Sequence, residues 1–152
     1  VDIKETVDMW VLGITRRLRI PDVKQAAAEC APLIDQQVAD AGLEVAGPWM
    51  FVSHNLPKEG RSYFDWAICL PVEKPAQYQG TIELCRLAPI MVASAVHQGS
   101  LRSLFTQGYA PLLAELEMSR YVLSGESREI YHDWRGLSAP YHRVEIQFGL
   151  SR

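Results

Sequence analysis

The 152 residues are enough for one domain with a sizeable core, or for two small fused halves. A formal charge of −3 leaves no basic footprint, so direct nucleic-acid binding is not expected. No apolar run approaches the roughly 18 residues of a membrane span and no signal-peptide pattern opens the chain, so the expected setting is the cytoplasm, away from membranes.

In chain order, Met9 to Ile14 reads as an apolar strand. The basic run from Thr15 to Arg19 reads as its solvated end and a loop. Pro21-Asp22 opens a helix, with Asp22 placed as N-cap and Gln25 as its capping-box partner. Val23, Ala27, Cys30, Ile34, Val38 and Ala41 keep helical spacing, and Gly42 ends the helix. Pro32, inside it, is expected to kink or split it. Trp49 to His54 and Tyr63 to Val72 are strands, Glu73 to Gly80 a loop, Thr81 to Leu84 a short strand, and Pro89 to Val96 a strand of small apolar residues. His97-Gln98-Gly99-Ser100 turns into a second helix with Ser100 as N-cap. Its apolar stripe is Leu101, Leu104, Phe105, Tyr109, Leu112 and Leu116.

The two halves resemble each other. Ala31-Pro32-Leu33-Ile34 and Ala110-Pro111-Leu112-Leu113 lie 79 positions apart, and both place proline within a helix, which is rare. Met9 to Ile14 matches Met91 to Val96 at an offset of 82, a difference that a loop three residues longer explains. The expected architecture is α+β: a single domain over 1–152 made of a tandem β-α-β-β pseudo-twofold repeat (about 1–78 and 81–152). Antiparallel sheets carry helices on one face and a ligand groove on the other. Concave junctions of this kind favour ligand sites.

Chemistry concentrates near the end of the chain. From Ser124 to Asp133 a turn leads into a strand on which Glu129, Tyr131 and Asp133 share one face. Arg143 to Phe148 alternates again, with Val144, Ile146 and Phe148 on one face and Glu145 and Gln147 on the other. If the strands pair with apolar faces together, Glu129 and Glu145 share the second face beside Tyr131. A carboxylate among aromatic rings grips an organic cation. His54, His97, His132 and His142 show no metal-ligand pair at i and i+4, and Cys30, Cys69 and Cys85 sit in apolar runs without ligand spacing. No metal or other cofactor is expected, and the cysteines read as small buried hydrophobes. No Gly-x-Ser-x-Gly elbow and no phosphate-cradling glycine loop are present.

In order, Phe64-Asp65-Trp66-Ala67-Ile68-Cys69-Leu70-Pro71-Val72, His97-Gln98-Gly99-Ser100, Glu129-Ile130-Tyr131 and Val144-Glu145-Ile146 resemble the motifs of the GyrI-like, AraC-type effector-binding domain, also the drug-sensing half of MerR-type multidrug regulators. Ser100 stands where that family has proline, Val144 where it has threonine, and Phe148-Gly149 where a proline is usual. The resemblance covers nearly the whole chain. It implies a groove between the repeats that takes amphipathic, often cationic molecules, with Glu129 and Glu145 as acidic residues and Tyr131 as the aromatic. Trp66, Tyr63, Trp134 and Tyr141 join them by composition and position. The family's helix-turn-helix is missing from this stretch, so a stand-alone sensor or a piece of a regulator is expected, and sheet edges leave room for a homodimer. The second reading is a GyrI-like hydrolase of strained cyclopropanoid natural products, with Glu129 or Glu145 as general base.

Overall fold

The computed structural model describes residues 1–134 and 142–151. Eight strands form one antiparallel sheet: β1 (Asp2–Glu5), β2 (Met9–Leu18), β3 (Met50–His54), β4 (Phe64–Val72), β5 (Glu83–Leu87), β6 (Met91–Gly99), β7 (Leu123–Asp133) and β8 (His142–Leu150). The helices are α1 (Val23–Ala41) and α2 (Ala110–Glu117). Spatial order is β1-β6-β8-β7-β3-β4-β2-β5. The order is symmetric about the central β7–β3 pair, with β6 answering β2, β8 answering β4 and β1 answering β5. Each leading edge strand crosses over: β1 pairs with β6 of the second half, and β5 with β2 of the first. The α+β expectation holds, with one continuous sheet rather than separate ones.

Two core clusters hold the helices to the same face. Leu12, Phe64, Trp66, Ile68 and Leu70 meet Cys30 and Ile34 of α1. Val144, Ile146 and Phe148 meet Leu112 and Leu116 of α2. Helix α1 runs unbroken through Pro32. An interior proline costs about 3 kcal/mol. Burial of Ile34 returns roughly 1.5–3 kcal/mol, and Val23, Ala27, Ala31 and Val38 pack beside it, which offsets the loss. Gly42 ends the helix at φ 64°, a left-handed conformation that glycine adopts without strain.

Several boundaries differ from the sequence reading for local reasons. Strand β2 continues through the basic run, because Arg16, Arg17 and Leu18 stay in register with Trp66, Asp65 and Phe64. Asp22 does not cap α1. Its carboxylate accepts from the Arg19 backbone N–H and Nε at 3.1 and 3.3 Å, closing a 3-10 turn at Ile20–Asp22. Strand β6 extends to Gly99, after which Ser100 accepts from the Ser103 N–H and caps a 3-10 turn, as expected of it. A π-helical turn, Leu104–Tyr109, follows, so Pro111 falls in the first turn of α2 rather than mid-helix.

Candidate functional site

A cavity of about 480 Å³ opens between α1 and the second helical segment, above β3, β4 and β7. It lies on the helix-bearing face, not the bare face where the groove was expected. Two helices over one sheet leave a gap along the symmetry seam, and large side chains of the central strands form its floor. Leu101, Leu104 and Phe105 line one wall. Val23, Ala27, Ala28 and Ala31 line the other, and their short side chains keep the gap open.

Glu129 is at the floor. Register places it between Phe51 of β3 and Ile146 of β8, on the core face. Protein surrounds its carboxylate, yet the residue as a whole is half-buried, because the remaining surface opens to the cavity. The Tyr109 and Tyr131 hydroxyls donate to its two oxygens, Tyr109 to Oε2 and Tyr131 to Oε1. Burial pushes the Glu129 carboxyl up, and the two tyrosine bonds pull back against it, leaving a net rise. Burial first, and then the Glu129 charge, raise both phenols well above the ordinary tyrosine value, so both remain donors.

Aromatic rings continue from this carboxylate along the wall in edge-to-face contacts. Phe51 lies 5.1 Å from Trp66 and 5.0 Å from Tyr131, centroid to centroid. Tyr131 lies 5.3 Å from Trp134, whose side chain is exposed at the mouth. Phe105 stacks on Tyr109 at 5.2 Å. Such ring faces attract cations by up to about 2 kcal/mol when desolvated. The π turn brings Tyr109 in: Gly108 passes so close to the sheet that a Cβ there would stand 2.9 Å from Ile146 Cδ1 and 3.2 Å from His97 Cβ.

Of the residues singled out from sequence, Glu129, Tyr131, Trp66 and Trp134 meet at this cavity. Tyr63 does not: it is 57% exposed, with the Arg19 guanidinium 5.5 Å from its ring centre. Tyr141 lies outside the described residues. Glu145 occupies the opposite face. Its register partner is Ile130, one residue out of phase with Glu129, so the pleat sends the two carboxylates to opposite sides. The expected pairing of apolar faces fails because Glu129 and Tyr131 share the helix-covered face with Val144 and Ile146. On the bare face Glu145 meets Lys4 at 2.6 Å, and His132 and Gln147 at 2.8 Å. Burial raises its pKa, but these partners outweigh burial and hold it at about 2.

Sequence reading missed Tyr109, Phe51, Phe105 and the helix wall as site residues. Tyr109 did carry a signal, since a phenol in a buried helical stripe needs a partner for its hydroxyl. Phe51 carried none beyond its strand position. Among the described residues no cluster of three His, Cys, Asp or Glu side chains is arranged to hold a metal.

No family model matches the sequence, and no curated protein matches it. Solved structures do match. The crystal structure of the EcmrR C-terminal domain superimposes with a TM-score of 0.78 at 24% identity, over 99% of this chain and 96% of that one. The EcmrR–DNA complex gives 0.78 at 22% identity; 98% of this chain is covered, and it spans 56% of the regulator chain. SAV2435 bound to tetraphenylphosphonium gives 0.64 at 14% identity, over 99% and 93%. The fold is that of the GyrI-like effector-binding domain.

Proposed function

We propose that this domain binds hydrophobic, cationic, amphipathic small molecules in the cavity, as a sensor or a sequestering protein. The observation that carries the reading is Glu129, a carboxylate at the floor of a mostly apolar and aromatic cavity. Removal from water disfavours its charge, and a bound cation restores the balance. Apolar contact at roughly 25 cal/mol per Å² supplies the remaining affinity and tolerates many shapes. The similarity to SAV2435 bound to tetraphenylphosphonium points the same way. A role as the effector-sensing part of a transcription regulator accords with the EcmrR likeness. With a charge of −3, this stretch itself is not expected to touch nucleic acid.

The test is tryptophan fluorescence titration with lipophilic cations, tetraphenylphosphonium first, beside anionic and neutral analogues. Saturable binding of cations that disappears in Glu129→Gln supports the reading; equal binding of neutral analogues, or an unchanged Glu129→Gln, overturns it. The convergence of two phenols on one carboxylate also favours a second reading, hydrolysis of a strained electrophile with Glu129 as general base and a tyrosine as proton donor. Turnover of a cyclopropane electrophile, lost in both Glu129→Gln and Tyr109→Phe, separates catalysis from binding.

A further inference from the structure

The wall presented by the 3-10 turn and α1 follows helical spacing, Ile20, Val23, Lys24, Ala27, Ala28 and Ala31, and all six residues line the cavity. Five are apolar and one is a lysine. The residues three and four positions away from Lys24 are Ile20, Pro21, Ala27 and Ala28, so no carboxylate on its own helix face neutralises it. Asp22 is engaged by Arg19, and Glu29 accepts from Gln25 at 3.1 Å. Lys24 has no ion pair or hydrogen bond among the described residues. It is exposed, so its stem lies on the apolar wall with the ammonium at the mouth.

Among the described residues, Lys24 and Glu129 are the charged side chains that line the cavity, one at the mouth and one at the floor. A simple cation satisfies the floor and is repelled at the mouth. We propose that the cavity is built for dipolar ligands, an apolar aromatic body with a cationic centre for Glu129 and an anionic group, carboxylate or sulfonate, for Lys24. This rests on the cation-binding reading and narrows its ligand class. Lys24 then selects among cations, and Glu129 holds them.

Rhodamine B and its ethyl ester share one dye cation and differ in a free carboxylate. Fluorescence anisotropy compares them on the wild-type chain, Lys24→Gln and Lys24→Glu, with tetraphenylphosphonium as competitor. The wild type is expected to bind rhodamine B roughly two- to fivefold more tightly than the ester, the range of an exposed ion pair. Lys24→Gln equalises the two, Lys24→Glu prefers the ester, and added salt shrinks the wild-type preference. Equal or tighter binding of the ester by the wild type, or a ratio that Lys24→Glu leaves unmoved, overturns the proposal. If tetraphenylphosphonium competes while the dyes bind equally, the cation reading survives and the dipolar one does not. If none of the three binds, both fall.

Discussion

Tyr109 and Glu129 join the second helical segment to the centre of the sheet through a phenol-to-carboxylate hydrogen bond. Tyr109 closes the π-helical turn, and Glu129 sits on β7, the strand that pairs with β3 at the seam between the halves. The bond therefore ties three things to one carboxylate: the helix register, the seam and the cavity floor. Single π turns occur often at functional sites, where the extra residue re-aims a side chain.

The first consequence concerns charge. Burial raises the Glu129 pKa, so the folded chain without ligand holds the proton more firmly than the unfolded chain does. Stability from this group is full below the ordinary carboxylate value of about 4.5 and is lost as pH rises through the raised folded value. Glu129→Gln is expected to remove that slope and to abolish cation binding, although its Nε2 cannot accept and so leaves one of the two phenols without its acceptor. Urea titrations across pH, with and without tetraphenylphosphonium, check both. A variant that keeps the wild-type pH slope of stability contradicts the assignment.

The tyrosines give the opposite sign. Their hydroxyls favour the charged carboxylate, so Tyr131→Phe or Tyr109→Phe raises the Glu129 pKa further. Cation binding, which needs the carboxylate, is then lost at a higher pH than in wild type as the solution is acidified. A hydrogen bond to a charged group is worth about 1.5–3 kcal/mol, so the pH at which binding is lost is expected to move up by about one to two units. Calorimetry at several pH values reads the shift. An unshifted midpoint means that the phenols do not act on the carboxylate.

Much of the fold was legible because its signals are local. Gly42, Ser100 and the alternation along β7 each follow from the chemistry of a few neighbouring residues. The pair Glu129 and Tyr131 was legible too, because two residues apart on a strand always share a face. Long-range register was not. Nothing within Arg143 to Phe148 says whether Val144 stands opposite Ile130 or Tyr131, and that one-residue choice sends Glu145 to one face or the other. The same limit hid the groove's face, since the α1 wall and the wall of Leu101, Leu104 and Phe105 face each other only after the halves combine. The basic run misled because exposed arginines on a paired strand look like a loop when the partner, Phe64 to Trp66, lies far along the chain.

Gly108 tests the close approach that positions Tyr109. An added Cβ meets Ile146 Cδ1 at 2.9 Å and His97 Cβ at 3.2 Å. The isoleucine tip can swing aside, but His97 is buried and its Cβ is fixed by β6. Gly108→Ala is expected to lose about 1–3 kcal/mol of stability, the range for overpacking, and to weaken cation binding by lifting Tyr109 from Glu129. Urea unfolding and a tetraphenylphosphonium titration measure the two effects. A variant as stable as wild type with undiminished affinity shows that the segment does not need this contact.

Glu145 separates the two faces of the sheet. It is held at about 2 by Lys4, Gln147 and His132 against the opposing effect of burial, well below its ordinary 4.5. A depressed pKa contributes stability that is present above the unfolded value and lost as pH falls from about 4.5 toward 2. Lys4 is partly exposed, so solvent screens its share of this contribution, and added salt weakens it further. Lys4 also belongs to β1, the edge strand that crosses to the second half, so the acid-labile bond fastens that strand across β6 to β8. Glu145→Gln is therefore expected to flatten the acid limb of the stability curve and loosen β1, read by hydrogen exchange at Thr6, whose N–H donates to Ile90 O at 2.8 Å just beyond the strand. Because its side chain lies on the bare face, the same substitution is expected to leave cation affinity within about twofold of wild type, where Glu129→Gln abolishes it. Loss of cation binding in Glu145→Gln with β1 still protected would mean that the ligand sits on the face away from the helices.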